Sequence, residues 1–255
     1  HLGGGLSRIL RDCGCIFGGL LGLLVAAAVR SYAGLGLAAR ISAWAKPAIV
    51  DPLVDFFRRF GRFAIVVILF IVFYRLSDYV LGILANPFYL DIGFSKAEIA
   101  SVAKIYGVIV SLVGAGAGGW AIVRFGIARC LVAATILIAS TNLFFAMMVY
   151  VGAEIWMLTV TISADNFAMG FGGTVFIAYL SSLVNQSFTA TQYALMSSLM
   201  SILGKFTAGY SGNVQESLGW MGFFLYAAAL GLPAILLSIV VAKNHDRLVG
   251  SNGSA

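Results

Sequence analysis

Five ionisable residues, Arg75, Asp78, Lys104, Asp165 and Lys205, interrupt stretches of the chain that are otherwise apolar. A charged side chain at the centre of a membrane-spanning helix costs ~2.5–3.5 kcal/mol, so such residues face a protein interior or a water-filled cavity. Together these contribute two acids and three bases, which would leave a shared cavity slightly positive and suited to an anionic or zwitterionic solute. Desolvation disfavours a charged carboxylate, so Asp78 or Asp165 could load and release a proton during transport. Spacing does not choose between them. Plainer roles are open to the same residues. Arg75 and Asp78, three apart on one helical face, can neutralise each other as a structural pair, and Lys104, a turn or two inside its span, can snorkel outward. Asp165 and Lys205 lie deeper, where snorkelling helps less, and both are expected to line a pathway.

The elements that position these residues follow from composition. Of 255 residues, 61% are hydrophobic and 10% charged, with a mean hydropathy of +0.99. A soluble domain carries about 25% charge, so a water-soluble enzyme is excluded. An outer-membrane barrel would show alternating segments of ~10 residues; here the apolar runs are continuous. The net charge of +6 marks the cytoplasmic side of a membrane protein rather than nucleic-acid binding. The fold class expected is an all-α polytopic membrane protein.

Six spans are expected at 63–90, 99–123, 130–151, 155–184, 193–214 and 221–242, joined by short connections. Arg58, Arg59, Arg62, Arg124, Arg129, Lys243 and Arg247 fall on one side of these spans, and among basic residues only Lys96 falls in a loop on the other. The positive-inside rule then places both ends of the bundle in the cytoplasm, with Asp91, Glu98, Glu154 and Glu216 outside. The connection 185–188 would be cytoplasmic although it carries no basic residue. Upstream, 47–62 reads as an amphipathic linker helix along the inner membrane surface, with Ile49, Val50, Leu53, Phe56, Phe57 and Phe60 opposite Asp51, Asp55, Arg58, Arg59 and Arg62. Residues 1–46 are of uncertain structure: the apolar stretch 16–29 is short for a span and reads as the stub of a preceding helix. The chain begins at His1, and 243–255 reads as a flexible tail, so a fragment of a longer protein is expected.

Charges fall in the first, second, fourth and fifth spans and not in the third and sixth. In one half of a two-lobed transporter, the charged four would line the central cavity and the other two would buttress them. Asp78 and Asp165 then occupy the first helices of two inverted three-helix repeats. Gly107, Gly114, Gly118, Gly170, Gly172, Gly173, Gly204 and Gly209 mark close helix contacts. Asn86-Pro87 is expected to kink or end the first span. Trp120, Trp156 and Trp220 fall near the interfaces, as in an aromatic belt. Cys13, Cys15 and Cys130 make neither a disulfide framework nor a zinc pattern. No metal spacing, phosphate-binding loop or intramembrane histidine is present in the sequence, so no enzyme, metal or cofactor is expected.

The segment Gly119-Trp120-Ala121-Ile122-Val123-Arg124-Phe125-Gly126-Ile127-Ala128-Arg129 resembles the glycine-and-arginine loop signature of the major facilitator superfamily. Gly119, Arg124 and Gly126 match it; Val123 replaces the usual acid. The degenerate form of this loop lies between helices eight and nine of that superfamily, so the resemblance implies that these spans are helices seven to twelve, a six-helix half of such a transporter. Longer stretches resemble the muropeptide permease family AmpG within it. They are Phe73-Tyr74-Arg75-Leu76-Ser77-Asp78, Asn86-Pro87-Phe88-Tyr89-Leu90-Asp91-Ile92-Gly93-Phe94-Ser95-Lys96, Ala164-Asp165-Asn166-Phe167 and Gly170-Phe171-Gly172-Gly173-Thr174. Phe188-Thr189-Ala190-Thr191-Gln192-Tyr193-Ala194-Leu195, Gly204-Lys205-Phe206 and Gly209-Tyr210-Ser211-Gly212 continue the match, which covers 44–242.

What the resemblance implies is proton-driven import, across the bacterial inner membrane, of anhydromuropeptides released by cell-wall turnover. The partners implied are such an anionic solute, protons, the lipid bilayer and an N-terminal half of the permease. The pathway residues are then expected to be Arg75, Asp78, Lys104, Asp165, Asn166 and Lys205, with Gly119, Arg124, Gly126 and Arg129 as the loop motif. The same charges suit a symporter half for another sugar, peptide or siderophore, and a non-transporting membrane scaffold is the alternative from a different class.

Overall fold

In a computed structural model of the chain, helices form wherever the apolar runs are long. The structure describes residues 46, 50–184 and 189–250, with 104, 105, 189 and 246–250 described by backbone alone. The expectations for 1–40, for the connection 185–188, for the end of the tail and for the side chains of Lys104 and Arg247 lie outside the described residues. The chain divides into two units, 1–53 and 54–255, the second of which carries the membrane helices.

After α1 (Asp51–Phe60), the first long apolar run forms α2 (Phe63–Tyr74) and α3 (Leu76–Asp91). Pro87 does not end α3: the helix continues four residues past it, because a proline removes one backbone donor while the flanking turns keep theirs. A capping box starts α4 (Lys96–Ala100), in which the Ser95 hydroxyl accepts from the Glu98 N–H and the Glu98 carboxylate accepts from the Ser95 N–H. A π-helical turn (Ser101–Tyr106), which includes the backbone of Lys104, leads into α5 (Gly107–Phe125). Then follow α6 (Ile127–Val151), α7 (Ile155–Leu183), α8 (Thr189–Ala208) and α9 (Ser211–Gly250).

Among the described residues, five stretches are long and apolar enough to cross a membrane: Phe63–Asp91, Lys96–Phe125, Ile127–Val151, Ile155–Leu183 and Ser211–His245. The 20 residues of α8 also reach ~30 Å at ~1.5 Å per residue, but Gln192, Ser197, Ser198, Ser201 and Lys205 make it more polar than the others. The helix expected over 193–214 stops at Ala208. There Gly209 donates its N–H to the carbonyls of Lys205 and Phe206 at 3.0 and 3.2 Å, closing a turn before Ser211. A second interruption, Gly219 at φ 67° and ψ 177°, divides α9 just ahead of its apolar length.

Helix α5 packs on α7, α7 on α6, and α6 on α9; α9 and α8 both contact α2 and α3. The α5–α7 crossing is close because glycines face backbone. A Cβ on Gly118 would lie 2.9 Å from the Phe171 carbonyl oxygen, and Cβ atoms on Gly114 and Gly170 would intrude on the carbonyls of Phe167 and Ser111.

Two apolar clusters fill the bundle. One gathers Phe70, Tyr74, Leu131, Ile138, Ala168, Phe176 and Tyr179. The other gathers Val80, Phe88, Tyr89, Phe145, Leu158, Ile162 and Phe224. The boundary between them falls at polar residues: Arg75, Ser77 and Asp78 between Tyr74 of α2 and Val80 of α3, Asn142 between Ile138 and Phe145 of α6, and Asp165 between Ile162 and Ala168 of α7.

Candidate translocation site

Arg75 sits where α2 and α3 part. Its backbone, at φ −108° and ψ 2°, is not helical, and the helix resumes at Leu76. Breaks of this kind inside a membrane are tolerated where the backbone is buried in protein or lines a cavity. The break is braced on both sides. Before it, the Tyr74 hydroxyl donates to the Gly172 carbonyl of α7 at 2.8 Å, and its ring stacks on Phe176 with centroids 4.3 Å apart. After it, Ser77 donates to the Ala227 carbonyl of α9 at 2.8 Å and accepts from the Asn142 amide of α6 at 2.9 Å. Ser77 and Asn142 are both buried, so these bonds are shielded from competing water.

With its backbone so held, Arg75 turns its side chain toward Asp78, Nη1 to Oδ2 at 3.3 Å, with side chains 22% and 15% exposed. The guanidinium also lies against α7 where Gly173 leaves room: a Cβ there would be 3.3 Å from Arg75 Nη2. Asp165 of α7 is within electrostatic reach of both Arg75 and Asp78, and also of Tyr89. It makes no ion pair or hydrogen bond among the described residues. The cluster therefore holds one guanidinium and two carboxylates, only one of which is paired.

A cavity of about 370 Å³ opens beside the pair. Tyr79 of α3 and Met169, Gly173 and Phe176 of α7 form two of its walls; Tyr193, Ser197 and Met200 of α8 form the third. Tyr79 ties α3 to α8 through its hydroxyl, 3.2 Å from that of Ser201.

Three of the residues expected along the pathway, Arg75, Asp78 and Asp165, are thus brought together. Asn166 is not aimed at the cavity: its amide donates to the Ile162 carbonyl at 2.9 Å and packs against Gly107 of α5. Lys205 is exposed in the last turn of α8, because that helix stops at Ala208. Of the loop motif, Gly126 is the single residue between α5 and α6, and its φ of 81° is one that glycine adopts without strain. Gly119 lies within α5, and Arg124 and Arg129 flank the turn on its exposed surface.

Two features were missed by sequence reasoning. The cavity walls follow helical spacing, 169, 173, 176 and 180 on α7 and 193, 197 and 200 on α8, a pattern that could have been found. The other is a polar network on α1. Arg59 bonds Asp55 at 2.8 Å, the Leu183 carbonyl at 3.1 Å and the Gln192 side chain at 3.0 Å, while Gln192 donates to Asp55 at 2.9 Å. Asp55 and Arg59 lie on the packed side of α1 with Phe56 and Phe60, against Gln192 of α8, whereas Phe57 and Arg58 are exposed.

Long apolar helices around a braced helix break, with a charged cluster and a cavity at mid-bundle, define an all-α polytopic membrane protein of the kind that forms half of a transporter. No protein-family model matches the chain. It is 36% identical over 196 residues to a Rickettsia felis protein named "Putative transporter AmpG 4", covering 77% of this chain and 47% of that protein. The protein of the same name from Rickettsia conorii is likewise 36% identical, over 197 residues with the same coverage. "Putative transporter AmpG 1" of Rickettsia prowazekii is 32% identical over 179 residues, 70% of this chain and 40% of that protein. The chain belongs to the AmpG-type permeases and spans about half the length of the curated relatives it matches.

Proposed function

We propose that this chain supplies one six-helix half, helices seven to twelve, of a proton-coupled major facilitator permease that imports anhydromuropeptides across the bacterial inner membrane. The observation that carries the reading is the Arg75–Asp78 pair at the helix break, with a cavity alongside and Asp165 of α7 within electrostatic reach. Muropeptides carry carboxylates and sugar rings. Arg75 offers a planar donor to a carboxylate, and Tyr79 and Tyr193 offer aromatic faces and hydroxyls to the sugar. Asp165, which lacks an ion pair of its own, takes a proton from the outside and releases it to the cytoplasm. Alternating access rocks this half against an N-terminal half around the mid-membrane site.

The test is uptake of labelled anhydrodisaccharide-tripeptide by bacteria that lack their own muropeptide permease and express this chain with an N-terminal half, with and without a protonophore. Protonophore-sensitive uptake is expected. Uptake of a different sugar, peptide or siderophore in its place would reassign the solute, and no uptake of any of them, with both halves inserted, would leave a scaffold.

A further inference from the structure

Apart from the candidate translocation site, an apolar groove of about 400 Å³ opens at the turn between α5 and α6. Ala117, Trp120 and Phe125 of α5, Cys130 and Ala133 of α6 and Phe171 of α7 form it, and Arg129 closes one end. Arg124 reaches the same end through the rings: its guanidinium lies over Phe125, 5.8 Å from the ring centroid, and Phe125 meets Trp120 edge-on at 5.9 Å. Both arginines are exposed and make no ion pair among the described residues.

No acid lies nearby in the sequence to neutralise them: the chain has no Asp or Glu between Glu98 and Glu154. Val123, beside Arg124, is apolar and 90% exposed. From Ala117 to Phe125 the groove follows α5 for ~12 Å at ~1.5 Å per residue, the length of part of an acyl chain. An apolar slot that ends in two uncompensated guanidinium groups, at the depth where Trp120 marks the membrane interface, is complementary to a lipid whose headgroup is negative.

We propose that this groove is a binding site for an anionic phospholipid, with an acyl chain along Trp120, Phe125 and Phe171 and the phosphate between Arg124 and Arg129. The site stands independently of the solute the permease carries. An anionic headgroup gains about fivefold in affinity from each arginine near it.

The experiment is native mass spectrometry of the full chain in detergent, titrated with phosphatidylglycerol or with phosphatidylcholine of the same acyl chains. Phosphatidylglycerol is expected to bind about 25-fold more tightly, at about fivefold per arginine. R124Q/R129Q should bring it down to the phosphatidylcholine level while phosphatidylcholine binding, which reports an intact fold, is unchanged. Filling the groove in A133W should weaken both lipids and keep their ratio. Equal binding of the two lipids by the unmodified chain, or phosphatidylglycerol binding unaltered by R124Q/R129Q, would overturn the proposal. Binding unaltered by A133W would overturn the groove as the seat of the acyl chain.

Discussion

The hydroxyl of Tyr74 donates to the backbone carbonyl of Gly172 at 2.8 Å, fixing the last residue of α2 against the middle of α7. One residue later the helix breaks, so the direction in which Arg75 leaves the backbone depends on that bond and on the Ser77–Asn142 bond beyond it.

Removing the hydroxyl in Tyr74→Phe should lower stability by about 1 kcal/mol, the net worth of one hydrogen bond. Gly172→Ala should cost more, ~1–3 kcal/mol, because its Cβ would meet Ile138 Cδ1 at 2.7 Å and Tyr74 Oη at 3.1 Å. Thermal unfolding in detergent checks both. An alanine at 172 as stable as glycine would mean that α7 does not press on the break.

The Arg75–Asp78 pair separates a structural role from a transport role. Asp78→Asn or Arg75→Gln alone removes one partner of the ion pair and leaves the other inside the bundle, and each should lower the yield of folded protein and abolish uptake. In the double variant R75Q/D78N neither partner of the ion pair is left without the other, so folding should recover while uptake stays absent. Restored uptake would show that the two residues merely neutralise each other.

Arg59 of α1 and Gln192 of α8 should be energetically coupled. A double-mutant cycle of Arg59→Ala and Gln192→Ala, read by thermal unfolding, is expected to give ~1–2 kcal/mol, since the bond is charge-assisted and Gln192 is buried. A coupling near zero would mean that the Arg59–Gln192 bond does not help to hold α1.

Gly126→Ala should destabilise by ~1–3 kcal/mol, because φ 81° with ψ 156° is open to glycine and costly for any residue with a Cβ. The melting temperature reports it. Space is not the reason, since nothing lies within 4 Å of the added atom.

Much of the helical order was legible because an unbroken apolar run has one outcome in a bilayer: every backbone group must bond within the segment. The α5–α6 turn was legible for a related reason, in that Gly126 leaves a mark in the sequence where a positive φ is required. Position within a helix was harder to read. Lys205 looks deep if 193–214 is one helix, and becomes a last-turn residue once Gly209 and Tyr210 turn the chain. Asn166 neighbours Asp165 in sequence, yet successive helical residues diverge by ~100°, and its amide bonds the Ile162 carbonyl where Gly107 of α5 leaves room. The break at Arg75 has no local signal, since neither glycine nor proline stands there. Its bonds come from Gly172, Asn142 and Ala227, 65 to 150 residues away along the chain. The same is true of Arg59, whose partners Leu183 and Gln192 exist only in the folded bundle.

In the proposed transport cycle the polar layer at the helix break couples a proton to solute movement, with Asp165 as the group that carries it. The direct measurement is uptake of labelled anhydrodisaccharide-tripeptide by Asp165→Asn beside the unmodified chain, both with an N-terminal half, read as accumulation against a gradient and as exchange at equal concentrations. Accumulation should vanish while exchange persists, because the cavity beside Arg75 is intact and only the titratable group is gone. Full, protonophore-sensitive accumulation by Asp165→Asn would contradict the claim.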